Sequence, residues 1–239
     1  MANKVTKHIP NTITCMNLFS GCLCCVMAFR HQFDYALLFI VLSAVFDFFD
    51  GLAARALDAH SIIGKDIDSL ADDISFGLAP AMIVFALLEE KFVGAEGWLT
   101  YAPYAAFLIA VFSALRLAKF NNDTRQTTSF IGLPVPANAL FWAALVAGMH
   151  EELLCDCCHP LILFALILLS SWLLVCELPM FSLKFKSLGL AGNKVRFLFL
   201  AVSVALLFLG IPGLALIIIW YIALSVIVWL FNKSNTQTA

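Results

Sequence analysis

Unbroken apolar runs of helical length fill most of this chain, and no other feature narrows its fold as far. Eight such runs lie near residues 12–29, 34–57, 66–88, 98–120, 134–150, 159–177, 193–210 and 212–231. A helix that crosses a bilayer needs about 20 apolar residues, with a range of roughly 17–25. In lipid each backbone N–H and C=O must be bonded within the protein, and a helix does this within one segment. The expected fold is therefore all-α, a polytopic membrane helix bundle of about eight transmembrane helices. Charge content agrees: 13% of the 239 residues are charged, against about 25% in a soluble domain. Polar surface this sparse excludes a water-facing globule. The formal net charge of −2 and the absence of a basic tract give no reason to expect a nucleic-acid partner.

The basic residues orient these runs. With the N-terminus in the cytoplasm and sides alternating, the cytoplasmic face holds Lys4, Lys7, Arg55, Lys65, Arg116, Lys119, Arg125, Lys184, Lys186, Lys194, Arg196 and Lys233, and the outer face Arg30 and Lys91. Twelve of the 14 Lys and Arg then fall inside, the asymmetry that membrane insertion favours. Removing one run would invert every later loop, so an even number of spans with both termini cytoplasmic is the better reading. The last two runs are the least secure, because Gly210-Ile211-Pro212-Gly213 leaves only a tight turn for a helical hairpin.

No internal repeat, linker or low-complexity segment divides the chain. One domain over 1–239 is expected, with a core near 9–177 and an added C-terminal hairpin near 193–231. The first run lacks a small-residue cleavage site and reads as a span. Cys155, Cys157, Cys158 and His159 form a C-x-C-C-H group without the paired spacing of a zinc site. The plainer reading is a loop that forms a disulfide or binds nothing.

The chemistry concentrates in residues 47–80. Asp47 and Asp50 follow a wholly apolar stretch, so they sit on the second span, and their spacing puts them on one helix face. Asp68 and Asp72 are four apart near the start of the third span, again on one face. A short connection lets the two pairs meet. Four converging carboxylates cannot all stay ionised uncompensated: either some are protonated or cations neutralise them. Ionisable groups inside spans are costly and mark function. Carboxylate oxygens suit hard divalent ions such as Mg2+ or Mn2+, and two such ions side by side serve phosphoryl-type chemistry. Gly51 and Ala54, one turn apart, leave a flat surface for a bulky ligand. Arg55 offers a planar cationic fork for phosphate, and Gly64 lies where the chain turns or meets a ligand through backbone.

The pattern Asp47-x2-Asp50-Gly51-x2-Ala54-Arg55-x8-Gly64-x3-Asp68-x3-Asp72 resembles the signature of the CDP-alcohol phosphotransferase family at all eight fixed positions. That resemblance implies that Asp47, Asp50, Asp68 and Asp72 hold two divalent ions, and that Asp72 is also the base for the incoming hydroxyl. Asp50, Gly51, Ala54, Arg55, Gly64 and Asp68 would line the CDP-lipid site. It further implies a homodimer and direct displacement of CMP without a covalent enzyme intermediate. Asp73 adjoins Asp72 but points elsewhere on an ideal helix.

Three other segments resemble the branch of that family whose donor is CDP-diacylglycerol and whose acceptor is L-serine. They are Ile9–Thr14, Ser75–Pro80, and Arg116–Asn121 together with Phe130–Ala137. Arg116, near a cytoplasmic helix end, is placed to bind a carboxylate with two hydrogen bonds, and Lys119 lies three residues on. The plainer alternative is that both mark the membrane boundary and reach lipid phosphates. Asn121, Arg125 and Asn138 are further candidates. Glycerol-3-phosphate or inositol acceptors would use the same core. A different class, an ion-coupled carrier, also places acids in spans, but would repeat them in two related halves, and the second half has no counterpart. The expected location is a bacterial or archaeal inner or plasma membrane, amid membrane lipids, with the active site on the cytoplasmic side.

Overall fold

Each of the eight apolar runs becomes a helix at the expected place. The computed structural model describes residues 8–59, 62–123, 130–181 and 193–237; Lys4, Lys7, Arg125, Lys184 and Lys186 lie outside them. Helix α1 spans His8–Phe29, and α2 spans Phe33–Ala56. Helix α3 comprises Ile62–Asp72, a π-helical stretch Asp73–Leu78 and Ala79–Lys91. Helix α4 opens as a 3-10 helix, Gly97–Phe107, and continues as Leu108–Asn122. Then come α5 (Val135–Gly148), a short α6 (His150–Leu154), α7 (Pro160–Val175), α8 (Lys194–Leu207) and α9 (Ile211–Gln237).

Five of these are long and apolar enough to cross a membrane: α1, α2, α3, α4 and α9. The chain is an integral membrane protein. The other three are shorter apolar helices: α5, α7 and α8 have 14, 16 and 14 helical residues, against the roughly 20 that cross a bilayer alone. Helix α5 stops where Gly148 meets the ring of Pro212 on α9. Met149 leaves helical geometry there. Helix α8 ends ahead of Gly210, whose φ of +73° turns the chain into α9. The described residues also include a two-stranded ribbon, β1 (Phe130–Ile131) antiparallel to β2 (Pro179–Met180), with Phe130 opposite Met180. Sequence alone gave no strand there.

On α1, small and polar residues face the bundle and large apolar ones face out. On α1 the buried positions are Pro10, Thr14, Asn17, Ser20, Gly21, Cys24 and Ala28, whereas Phe19 and Phe29 are 65% and 73% exposed. With lipid as solvent no hydrophobic force separates these faces, so close approach and internal hydrogen bonds decide the packing. The main core joins α1–α7 and α9 around Ile40, Phe76, Leu87, Ile109 and Trp142. Leu133, Met180, Phe199, Tyr221 and Leu224 form a smaller cluster between the ribbon and α8–α9. The C-terminal hairpin is thus packed into the protein, α9 lying along α5.

Candidate active site

At one end of the bundle α2 and α3 bring their acids together. One carboxylate oxygen each from Asp47, Asp50 and Asp68 lies within 4.8 Å of the others. Asp72, one turn deeper than Asp68, lines the same cavity as these three acids. The two acid pairs are thus brought to one place, three acids forming the cluster and the fourth lining the same cavity.

Helix α1 holds this cluster in place, and sequence reasoning assigned it no such role. Thr14 Oγ1 donates to Asp50 Oδ2 at 2.6 Å, and Asn17 Nδ2 donates to Asp72 Oδ1 at 3.2 Å. The backbone carbonyl of Asn17 accepts from Ser43 Oγ of α2 at 3.2 Å and from Ser75 Oγ of α3 at 3.0 Å. One turn of α1 thereby pins both acid-bearing helices. The signal available was the spacing: Thr14, Asn17 and Gly21 recur at helical intervals within an apolar run, which marks a bundle-facing stripe.

Two cavities meet at the acids. The first, about 570 Å³, is lined by Pro10, Asn11, Thr14, Asp50, Gly51, Ala54, Arg55, Ala59, Gly64, Lys65 and Asp68. The second, about 520 Å³, includes Asp47, Asp68, Ser69, Asp72, Arg116, Asn121 and the segment Pro134–Pro136. Asp50, Gly51, Arg55 and Asp68 line both. Every candidate position for the CDP-lipid site falls on the first cavity, and so does Ile9–Thr14 through Pro10, Asn11 and Thr14. The structure places Arg116 in the second cavity, 3% exposed, its guanidinium 5.4 Å from the Phe120 ring centre.

Lys119 is not brought there. Its Nζ lies 3.2 Å from Val175 O and 3.6 Å from Glu177 Oε1. Val175 ends α7, and a helix's last carbonyls draw a cation, so spacing from Arg116 did not decide its direction. Asn138 is fully buried in α5, and Asp73 turns toward Gly77.

The donor set fits a hard cation. Three carboxylates converge, and Asp68 Oδ1 is buried without a hydrogen-bond partner, a costly arrangement unless a cation satisfies it. No other group of this kind occurs among the described residues. Cys155, Cys157 and Cys158 carry free thiols, with the Cys157 amide donating to Cys155 Sγ at 3.2 Å.

Fold and site together define a polytopic membrane protein with a carboxylate centre between two ligand-sized cavities. The chain belongs to the CDP-alcohol phosphatidyltransferase family, whose family model matches residues 7–181. It is similar to the CDP-diacylglycerol–serine O-phosphatidyltransferase of Bacillus subtilis (strain 168), 39% identical over 132 residues, 54% of this chain and 70% of that protein. The enzyme of the same name from Mycobacterium tuberculosis (strain ATCC 25618 / H37Rv) is 34% identical over 146 residues, 58% of this chain and 49% of that one. That of Saccharomyces cerevisiae is 36% identical over 158 residues, covering 59% and 53%. The match thus spans about half the length of the mycobacterial and yeast relatives.

Proposed function

We propose that this protein transfers the phosphatidyl group of CDP-diacylglycerol to the hydroxyl of L-serine, giving phosphatidylserine and CMP. The observation that carries the reading is the placement of the acids between two cavities, one bearing Arg55 and Lys65, the other bearing Arg116. Serine-using relatives from bacteria and yeast support the acceptor, and family membership favours a transferase over an ion-coupled carrier.

In this reading the first cavity takes the CDP end of the donor, with Arg55 on its phosphates. Asp47, Asp50 and Asp68 would hold one divalent ion, Mg2+ or Mn2+, and Asp72 would help hold a second. Bound there, such ions neutralise the diphosphate and the charge that builds as it is displaced. Arg116 binds the serine carboxylate in the second cavity. Asp72 takes the proton of the serine hydroxyl, with Asn17 fixing its Oδ1. The serine oxygen forms a bond to the lipid-bearing phosphorus, the bond from that phosphorus to the CMP oxygen breaks, and CMP leaves. Lipid tails stay in the bilayer throughout, which accounts for a site built on spanning helices.

The positive-inside distribution supports a cytoplasmic active site in an inner or plasma membrane, and the continuous packing from α1 to α9 supports a single domain. A homodimer belongs to the same proposal, read by light scattering of the purified protein. The deciding test is CMP release from CDP-diacylglycerol with L-serine, glycerol-3-phosphate or inositol, with and without Mg2+ or Mn2+. Release is expected to need both serine and metal, to stop with a chelator and return with the ion, and to fall by about 10²–10⁴-fold in Asp72→Asn. Release with another acceptor in place of serine overturns the acceptor assignment.

A further inference from the structure

The second cavity contains a polar pair outside the signature. Asn121, at the end of α4, donates from Nδ2 to Ser69 Oγ on α3 at 2.8 Å. Both side chains line the cavity with Asp72 and Arg116. Ser69 lies between two signature acids, three residues before Asp72 and so on the same helix face, and neither Ser69 nor Asn121 belongs to the acid cluster or lines the first cavity.

We propose that Ser69 and Asn121 determine acceptor specificity by binding the ammonium group of an amino-acid acceptor while Arg116 binds its carboxylate. This rests on the serine reading above. A guanidinium has five donors and no acceptor, so it serves only the carboxylate. Asn121 commits an N–H to Ser69 and keeps its Oδ1, and the Ser69 oxygen keeps a lone pair. Beside the second Asn121 N–H and the Ser69 O–H, the pair thus has two acceptor oxygens to offer an ammonium group. The nearby carboxylates, in the proposed mechanism, are taken up by cations.

Helix geometry sets the order. At 1.5 Å per residue, Asp72 lies about 4.5 Å further along α3 than Ser69, and Arg116 about 7.5 Å back along α4 from Asn121. Consecutive helices α3 and α4 run in opposite directions, so both offsets point the same way from the pair. An acceptor in this cavity meets an ammonium site at the helix ends, and the base and carboxylate site deeper. Serine carries its three polar groups on adjoining carbons and can span these points.

The test uses the full-length protein with CDP-diacylglycerol and Mn2+. CMP release is measured with L-serine, and with ethanolamine (no carboxylate) and 3-hydroxypropionate (no ammonium) as competitors. In Asn121→Ala and Ser69→Ala, the KM for serine is expected to rise about tenfold, the loss of a charge-assisted hydrogen bond. The KM for CDP-diacylglycerol stays unchanged. Inhibition by ethanolamine weakens by the same factor and inhibition by 3-hydroxypropionate does not. Asn121→Asp, which keeps the acceptor oxygen, retains serine binding, and Arg116→Lys weakens serine and 3-hydroxypropionate but spares ethanolamine. Equal weakening of all three compounds in the alanine variants, or a raised KM for CDP-diacylglycerol, would make the pair a structural clamp and overturn the proposal. If the wild-type protein releases CMP without serine and only with other acceptors, the serine reading fails and takes this one with it. Serine-dependent release whose selectivity the variants leave unmoved overturns this proposal alone.

Discussion

Thr14 is the residue through which the acid cluster is most open to test. Its hydroxyl gives a 2.6 Å hydrogen bond to Asp50 in a buried setting, so it fixes which way that carboxylate faces. Thr14→Val keeps the shape and removes the donor. Groups that hold a metal ligand in place typically account for 10–100-fold in metal affinity. The metal concentration giving half-maximal CMP release is therefore expected to rise at least about 10-fold in this variant, with the rate at saturating metal close to wild type. An unchanged metal dependence would mean that Asp50 is oriented by something else. The four acids were legible in the sequence because a carboxylate in an apolar run is too costly to be incidental. Thr14 and Asn17 were not, because neutral polar side chains are common in spans and only the folded structure shows whose oxygen they face. The direction of Lys119 was not legible for a related reason: its long chain follows the nearest carbonyl, which Arg116 does not determine.

At the level of elements, helix positions were legible and the shape within a helix was not. Asp73–Leu78 of α3 is a π-helical stretch in which the Ala79 amide reaches back to Ile74 O. Pro80 follows directly. Its ring has no N–H to offer and would crowd the carbonyl four residues earlier in a regular helix, and the wider turn relieves this. One inserted residue in a helix apolar on nearly all sides changes no hydrophobic period, so the sequence did not reveal it. This stretch carries Ser75 against α1 and begins immediately after Asp72. A Cβ on Gly21 would lie 2.7 Å from the Ser75 Cα and closer still to its hydroxyl. Gly21→Ala must therefore push α1 from α3, in a core that loses about 1–3 kcal/mol to such overpacking. The expected result is a lower thermal midpoint in detergent and a reduced kcat, since Asn17 and Asp72 separate along with the helices. Wild-type activity and midpoint together would show that the α1–α3 contact does not set the site.

The arrangement of the whole molecule in the membrane makes a prediction that its own cysteines can test. If twelve of 14 basic residues lie inside, the α5–α7 connection with Cys155, Cys157 and Cys158 lies outside, at the end opposite Asp47 and Asp72. Lys91 binds this connection through the carbonyls of Leu153, at 2.7 Å, and Cys155, at 3.2 Å, so it is held rather than threaded back through the bundle. Cys155 and Cys157 are exposed, and the contact between them separates their acidities. Hydrogen bonding to Cys157 holds the Cys155 thiol below its ordinary range, while the same contact pushes Cys157 above it. The thiolate is the reactive form, and its fraction grows as pH rises toward and past the pKa. A maleimide that cannot cross membranes, added to intact cells expressing the protein, is therefore expected to label Cys155 first and Cys157 only as the pH is raised. Cys155→Ser would slow the labelling, and serine at 155, 157 and 158 together would abolish it, leaving Cys15 and Cys22 shielded by lipid on α1. Labelling that appears only after the cells are opened would invert the topology. The acid centre, Arg55 and Arg116 would then face outward, and the supply of a CDP-linked donor from the cytoplasm would no longer fit the site.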